Sequence, residues 1–299
     1  MTIPTSEMPV LKATWRDYVA LTKPRIIELL LVTTVPTMVM AAQGWPSVSV
    51  ALATLVGGAL AAAGANVLNC YIDADIDAMM PRTAHRATAT GLISARTTVV
   101  FGLVLSLLSS AVLATFTNGL AASLSALAII FYVGIYSLLL KRRTSQNIVW
   151  GGIAGCFPVV IGWSAVTGTL SWEPLVLFLV VFWWTPPHYW PLSIRYREEY
   201  AAAQVPMLPV VATDDTVSRQ IIIYSWIMVA TSLALWPATG PVYRVTALIA
   251  GAWFILQAYG LRRSVLSGVA SSKPAMRLFH GSITYLSLIF LAVGIDPFV

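Results

Sequence analysis

The chain has few charged residues for its length. Of its 299 residues, 10% are Asp, Glu, Lys or Arg, whereas 58% are hydrophobic. The mean hydropathy is +0.79. An ordinary soluble domain carries about 25% charged and about 45–50% apolar residues. Because so few polar side chains cannot cover a globule of this size, the composition excludes a soluble fold and indicates an integral membrane protein.

Cysteine is scarce as well. The two cysteines, Cys70 and Cys156, lie far apart in apolar runs, and no Cys-x-x-Cys spacing occurs in the sequence. A disulfide framework and a structural zinc site are therefore not expected. The net charge is +6, but the basic residues form short clusters between apolar runs rather than a stripe interleaved with aromatic residues. We therefore expect no nucleic-acid partner.

Long apolar runs dominate what is present. A helix needs about 20 mainly apolar residues to cross the hydrocarbon core. Nine stretches qualify: 26–43, 48–70, 97–116, 119–140, 147–168, 174–193, 219–238, 242–261 and 279–296. The sixth contains Pro186 and Pro187, which we expect to break the helix and release backbone carbonyls. The sequence thus predicts an all-α, polytopic fold, a single bundle of about nine transmembrane helices in a lipid bilayer.

The basic residues predict the topology. With nine alternating helices, 17 of the 18 Lys and Arg residues fall on one side of the membrane, and Arg244 alone falls on the other. The positive-inside rule places that side in the cytoplasm, with a cytoplasmic N-terminus and an outer C-terminus. The N-terminal residues lack the apolar core of a signal peptide. We expect a cytoplasmic arm at 1–25, a single membrane domain at 26–299, and a bacterial cytoplasmic (inner) membrane.

A row of polar residues ends the second apolar run. Asn69, Asp73 and Asp77 are spaced i, i+4, i+8 and share one helical face, which Asn66 extends, whereas Asp75 points away. Clustered acids are costly at a membrane boundary, and a divalent cation would offset that cost. Mg²⁺ prefers carboxylates combined with substrate phosphate oxygens. The alternative is a solvated helix end whose acids pair with nearby arginines.

Basic clusters lie on the same side of the membrane. Arg82 and Arg86 follow the acids within a few residues, and Lys141 and Arg142 open a later loop. A guanidinium can grip phosphate oxygens with two hydrogen bonds, so this arrangement suits a diphosphate. For any single residue, a simple topology signal is the alternative.

The sixth run ends in an aromatic segment with three further candidates. His188, in Pro186-Pro187-His188, could contact a large flat ligand or ligate iron, or it could be a hydrogen-bonded structural residue. Glu198 and Glu199 follow where a second metal–diphosphate site could form. Their alternative is a pair of surface acids bound to Arg195 and Arg197.

Several longer motifs carry a family resemblance. They are Asp17-Tyr18 with Leu21-Thr-Lys-Pro-Arg25, Asn66 to Asp77, Lys141-Arg-Arg-Thr-Ser-Gln-Asn-Ile-Val149, Gly162 to Gly168, Thr185-Pro-Pro-His188, Tyr200 with Val205-Pro-Met-Leu-Pro-Val-Val211, and Ser282 to Leu288. Over nearly its whole length the chain resembles the UbiA-type intramembrane prenyltransferases, and within them the branch that farnesylates heme. It departs from the family pattern in residues 82–88, where one arginine, an asparagine and a proline that the family usually has are missing. Glu198 and Glu199 also replace the usual aspartates.

The resemblance implies a reaction and a site. The substrates would be farnesyl diphosphate and heme b, the cofactor Mg²⁺, and the bundle would surround a central cavity open toward the cytoplasm. Asn69, Asp73 and Asp77 would be catalytic, and Asp73 and Asp77 would hold the metal. The implied substrate-binding residues are Asn66, Arg82, Arg86, Lys141, Arg142, His188, Glu198, Glu199 and Tyr200. A downstream heme A synthase or oxidase assembly factors would be partners.

Two alternatives stay open from the sequence. One is a prenyltransferase that acts on a quinone precursor or a chlorophyllide, from which the aromatic Pro-Pro-His segment would distinguish the heme branch. The other is an ion-coupled transporter, which would place charged residues near helix midpoints. In this sequence the acids cluster at the cytoplasmic ends of the runs.

Overall fold

A computed structural model describes residues 12–268 and 272–299, without the side chains of 25–31, and shows helices but no strand in those residues. The helices are α1 Trp15–Leu21, α2 Pro24–Ala42, α3 Val48–Ile72, α4 Ala74–Met79, α5 Ala95–Phe116, α6 Gly119–Ile130, α7 Asn147–Thr167, α8 Trp172–Arg195, α9 Arg197–Ala202, α10 Leu208–Val211, α11 Asp214–Ala234, α12 Pro241–Leu266 and α13 Ser272–Ile295. A π-helical segment, Phe131–Leu140, continues α6. The predicted all-α fold is confirmed.

Among the described residues, seven helices are long and apolar enough to cross a membrane. They are α3, α5, α6 with its π-helical extension, α7, α11, α12 and α13. The protein is therefore a multi-pass membrane protein. Helices α2 and α8 also coincide with predicted spans, but the count of nine stays a prediction. Residues 1–11 of the predicted N-terminal arm lie outside the described residues.

Two helices begin earlier than the sequence predicts. Helix α11 starts at Asp214 rather than at residue 219, because the Thr213 hydroxyl accepts the Thr216 N–H and caps the helix. Helix α13 already includes Ser272, so Lys273 and Arg277 belong to its first turns rather than to a loop. Polar first turns extend these helices beyond their apolar runs.

The expected helix break at the paired prolines is wrong. Helix α8 runs without interruption through Pro186, Pro187 and Pro191, all of which are buried. A proline inside a helix removes a hydrogen bond and costs about 3 kcal/mol. Here α8 packs against α7, α11 and α13 along its length, and this packing holds the helix together across the weakened turns.

Helices α3 and α5 approach each other closely. A Cβ at Gly64 would lie 2.5 Å from the Ser106 hydroxyl and 2.8 Å from the Gly102 carbonyl oxygen. The Ser109 hydroxyl donates to the Gly57 carbonyl oxygen across the same interface at 2.7 Å. Small residues that permit backbone contact, with serine hydrogen bonds between helices, are typical of membrane bundles. This contact fixes the position of α3, which carries the acidic row.

The loops at the basic end pack into one layer. Ile76 and Met80, from the loop after α3, contact Tyr200, Val205 and Met207, from the loop after α8. The loop after α8 therefore packs against the segment that follows α3.

We expect Gly64→Val to destabilise the bundle, because its side chain would collide with the backbone of α5. Overpacking of this kind costs about 1–3 kcal/mol, which corresponds to a fall of about 5 °C in the unfolding midpoint. The measurement is thermal unfolding of the purified protein in detergent. Gly58→Val in the same helix is the control, since nothing lies within 4 Å of a Cβ at Gly58. Equal midpoints for both variants would contradict the close packing of α3 and α5.

Candidate active site

The polar row at the end of α3 is buried. Asn66, Asn69, Asp73 and Asp77 are between 1% and 5% exposed. Asp73 lies at the junction of α3 and α4. Its N–H donates to the Asn69 carbonyl, and the Asp73 carbonyl accepts from the Asp77 N–H. The helical register therefore continues through the junction, and the row stays on one side.

Asp73 has partners on one carboxylate oxygen only. Its Oδ2 accepts hydrogen bonds from Asn69 Nδ2 at 2.7 Å and from Lys141 Nζ. Its Oδ1 is buried and makes no hydrogen bond within the described part of the chain. An unpaired carboxylate oxygen in a low-dielectric setting is costly, and a cation or a hydrogen-bond donor would relieve that cost.

The other two acids are paired with arginines. Both oxygens of Asp77 accept from Arg86 Nη1, at 2.6 and 2.8 Å. Asp75 is exposed and binds Arg142 through two hydrogen bonds of 2.6 Å. These hydrogen bonds from Arg142 hold the pKa of Asp75 below its usual value. Asp73 and Asp77 are buried rather than solvated, although Asp77 pairs with Arg86 as the alternative of a helix end predicts.

Lys23 reaches the same cluster from the chain before α2. Its Nζ donates to Asn69 Oδ1 at 2.7 Å, and Asn66 Nδ2 donates to the neighbouring Thr22 carbonyl at 2.9 Å. Lys23 adopts φ 54°, in the left-handed region. A non-glycine residue in this region is strained, and such strain clusters at functional sites. The N-terminal segment is thus attached to α3 at the acidic row, and it adds a cation that the sequence did not single out.

The π-helical segment supplies two more contacts. A π-helix shifts the residues on each face relative to an α-helix, and such segments are frequent at functional sites. Here Ser137 accepts from Asn69 Nδ2 at 3.0 Å while donating to the Tyr132 carbonyl. Lys141 follows directly and reaches Asp73. Ser137 resembles any small polar residue in a span, so no pattern in the sequence identifies it.

Arg82 contacts the loop after α8 rather than the acids of α3. Its Nη2 donates to the Tyr200 phenol at 3.1 Å, and its Nε lies 3.5 Å from Glu199 Oε2. The Tyr200 and Tyr189 oxygens are 3.2 Å apart. Burial raises the pKa of Tyr200, so its phenol remains a hydrogen-bond donor. Tyr189, which the sequence analysis missed, is therefore the residue of α8 that faces this group.

Glu198 does not join the cluster. It is exposed, and it has no ion-pair partner in the part of the chain that the structure describes. Arg197, its predicted alternative partner, binds Asp214. Glu199 pairs with Arg82, so the structure does not build a second carboxylate cluster from these two acids.

His188 lies in the contact between α8 and α13. Its ring stacks between Trp184, at 4.1 Å between centroids, and Phe279, at 4.7 Å. Its Nδ1 is 2.7 Å from the Ser282 hydroxyl, which donates to the Phe279 carbonyl. With its proton on the Phe279 carbonyl, Ser282 can accept from His188 Nδ1–H, and in that tautomer Nε2 carries the lone pair. The structure therefore does not bring His188 to the acidic row.

An apolar cavity of about 170 Å³ begins beside the row. Asn66 and Tyr132 line it near the acids, and Thr54 and Gly58 line it deeper in the bundle. Thr54 and Asn66 are 12 positions apart, which is about 18 Å along α3. Five alanines of α3, α6 and α7 contribute to the remaining wall. The cavity thus has the shape and the polarity of a slot for an extended hydrocarbon chain.

The site fits a metal that shares its ligands with a substrate. Among the described residues, no group of three or more His, Cys, Asp or Glu side chains is arranged to hold an ion. Asp73 Oδ1 is nevertheless an unpartnered buried oxygen, the type of ligand that Mg²⁺ prefers. Asp77 supplies further oxygens that Arg86 now holds. A diphosphate would have to contribute the remaining ligands.

Comparison with known proteins gives the family. The model of the UbiA prenyltransferase family matches residues 30–283. A protoheme IX farnesyltransferase of Streptomyces avermitilis is 55% identical over 95% of this chain and 94% of its own. The protein of the same name from a Nocardioides species is 56% identical over 94% of this chain and 90% of its own.

Solved structures share the fold at low identity. A digeranylgeranylglyceryl phosphate synthase aligns with a TM-score of 0.77 at 15% identity, covering 94% of this chain and 98% of that one. A UbiA homologue from Archaeoglobus fulgidus, bound to GPP and Mg²⁺, aligns with a TM-score of 0.65 at 17% identity, covering 93% and 99%. The predicted resemblance is confirmed, and the chain belongs to the UbiA prenyltransferase family.

Proposed function

We propose that this protein transfers the farnesyl group of farnesyl diphosphate to a vinyl group of heme b, with addition of water, giving heme O and diphosphate. This is the activity of a heme O synthase. Relatives named protoheme IX farnesyltransferase match about 95% of the chain at 55% identity, which supports the choice of substrates. The observation that carries the chemistry is the buried, half-satisfied carboxylate of Asp73 next to an apolar slot.

Mg²⁺ would be held by Asp73 and Asp77 together with diphosphate oxygens. When bound, the ion stabilises the negative charge that develops on the leaving diphosphate. Asn69 orients the carboxylate of Asp73 through its 2.7 Å hydrogen bond. The chain's role is to keep these oxygens in place, out of water, before the substrate arrives.

The basic residues would offset the negative charge of the diphosphate. Lys141 and Arg86 already contact the two buried acids, and Lys23 contacts Asn69. Fixed donors aimed at a developing charge in a water-poor site are more effective than in solution. Arg82 and Arg142 lie further out, on Glu199 and Asp75, and we assign them to the rim where the diphosphate enters.

The farnesyl chain would occupy the cavity between α3, α6 and α7. Cleavage of the allylic C–O bond leaves an electron-poor carbon, which must be shielded from water until the vinyl group attacks. The small residues of the slot leave room for the chain, and the loop after α8 packs against the segment that follows α3. Tyr132 lies where the slot meets the polar row.

His188 is the proposed heme contact. A metal-binding histidine commonly donates its other ring N–H to a fixed acceptor, which sets the tautomer. The Ser282 hydrogen bond does this for His188, and it leaves Nε2 able to bind iron. Trp184 and Phe279 keep the ring in a fixed plane.

We propose that the protein has the membrane topology that its sequence predicts. The loops with the acids and nearly all Lys and Arg would face the cytoplasm of a bacterium, and the C-terminus would lie outside the inner membrane. Residues 26–299 would form one membrane domain, with 1–25 as its arm. A heme A synthase or oxidase assembly factors would receive the product.

We expect Asp73→Asn and Asp77→Asn each to lower turnover about 100-fold or more, because each change removes a charge that holds the metal. The measurement is heme O formation by the purified protein from heme b and farnesyl diphosphate with Mg²⁺. Chelation of the metal must abolish formation by the unmodified protein.

Asp75→Asn is the matched control, since the same substitution two residues away changes an exposed side chain that binds Arg142. Its turnover should stay within about threefold of the original. Near-normal heme O formation by both Asp73→Asn and Asp77→Asn would refute the metal assignment.

We expect Gly58→Leu to shorten the slot, because Gly58 lines the cavity and no atom lies within 4 Å of a Cβ at this position. Turnover with farnesyl diphosphate should fall about tenfold relative to turnover with the shorter geranyl diphosphate. A competition assay with both donors gives the ratio. An unchanged ratio in a folded variant would place the hydrocarbon chain elsewhere.

We expect His188→Ala to raise the KM for heme at least about tenfold, while the KM for farnesyl diphosphate stays unchanged. The Soret band of added hemin, which reports iron ligation, should shift with the unmodified protein and not with the variant. An equal rise in the KM for both substrates, with the Soret shift retained in the variant, would make His188 a purely structural residue.

A further inference from the structure

Asn147 links α7 to a cation of the acidic row. It is the first residue of α7, and its side chain is completely buried. Its Nδ2 reaches back over the preceding loop and donates to the Lys141 carbonyl at 3.1 Å. That carbonyl accepts no other hydrogen bond within residues 12–268 and 272–299. Because the ammonium of the same lysine contacts Asp73, Asn147 acts on the backbone of a residue that reaches the buried carboxylate.

The backbone of Lys141 is held on both sides. Its N–H donates to the Tyr136 carbonyl at 2.9 Å, with the i to i−5 spacing of the π-helical segment. Its carbonyl is held by Asn147. A lysine side chain is a flexible four-carbon stem, and ordering it costs conformational entropy. Since both neighbouring peptide groups are fixed, the stem starts from a defined point, from which its ammonium reaches Asp73 Oδ2.

The stability of α7 does not explain an asparagine at this position. Asn147 Oδ1 is buried and makes no hydrogen bond in the part of the chain that the structure describes. A buried polar atom without a partner costs more free energy than one neutral hydrogen bond contributes. The next two residues, Ile148 and Val149, are apolar and buried, so this end of α7 accommodates apolar side chains. The hydrogen bond to Lys141 is therefore the feature that the carboxamide provides.

Helix α7 also forms part of the wall of the hydrocarbon slot. Gly151, Ala154 and Gly155 line the cavity, and the helix packs against α2, α6 and α8. The helix that shapes the slot thus also carries the group that holds the Lys141 backbone. The hydrogen bond from Asn147 therefore sets the position of the ammonium relative to the slot.

We propose that Asn147 is a positioning residue, which keeps Lys141 where the diphosphate of the prenyl donor meets the mouth of the slot. The inference rests on the proposed function, because it requires that Lys141 contacts the diphosphate. Asn147 itself touches neither substrate. Its effect passes through one backbone hydrogen bond, so removal of the Lys141 ammonium should make Asn147 irrelevant to diphosphate binding.

The test is a double-mutant cycle on the full-length protein in detergent, with binding of pyrophosphate in the presence of Mg²⁺ measured by isothermal titration calorimetry. Lys141→Met should weaken pyrophosphate binding about tenfold, and Asn147→Leu about fivefold. The double variant should bind no more weakly than Lys141→Met alone. In steady-state assays, Asn147→Leu should raise the KM for farnesyl diphosphate about fivefold and leave the KM for heme unchanged.

Gln146→Leu is the matched control. Gln146 is the adjacent amide, and its partly exposed side chain makes no hydrogen bond within the described residues. This variant should bind pyrophosphate as the unmodified protein does. If Asn147→Leu does not yield folded protein, as judged by thermal unfolding, Asn147→Ala replaces it in the cycle.

Two results would overturn the positioning role: unchanged pyrophosphate binding by a folded Asn147 variant, or effects of the two substitutions that add in the double variant. Both results leave Lys141 as a diphosphate ligand. Unchanged binding by Lys141→Met would instead refute the contact between Lys141 and the diphosphate, and the positioning role would fall with that contact.

Discussion

Carboxylates that are buried at the edge of a bilayer must receive partners from the protein, and the structure around the acidic row of α3 follows from this constraint. Three separate segments supply them: the chain before α2 brings Lys23, the π-helical end of α6 brings Ser137 and Lys141, and the loop after α4 brings Arg86. Lys23 lies in the left-handed region, and Ser137 and Lys141 belong to or directly follow the π-helical segment. We place the metal at Asp73 Oδ1, which is buried and has no hydrogen bond among the described residues.

The acidic row could be predicted from the sequence because its spacing is local. Helical periodicity alone separates Asn69, Asp73 and Asp77 from Asp75, and the structure places the first three inside and the last outside. Its partners could not be predicted in the same way. Lys23 and Asn69 are 46 residues apart, and Lys141 and Asp73 are 68 apart. Such pairs depend on how helices pack, which hydropathy does not encode. Proximity in sequence wrongly suggested Arg82 as a partner of these acids.

The paired prolines show how packing overrides local preference. Read by themselves, Pro186 and Pro187 predict a helix break, yet α8 is continuous and both prolines are buried. Neighbouring helices contact α8 on several sides, and the Trp184 indole donates to the Ser282 carbonyl of α13 at 2.7 Å. The consequence is functional. A continuous helix holds His188 against α13 and turns the next residue, Tyr189, toward Tyr200, whereas a broken helix would have left both orientations undetermined.

The two parts of the bundle also differ in composition, and this difference bears on the substrates. Glycine and serine bring α3 and α5 into close contact, and small residues of α3, α6 and α7 line the narrow apolar slot. Around α8, α12 and α13 the core is rich in aromatic rings, including Trp184, Phe254 and Tyr285. A slender prenyl chain fits the first environment and a flat porphyrin the second. Between them, Arg82 and Tyr200 join the loop after α3 to the loop after α8.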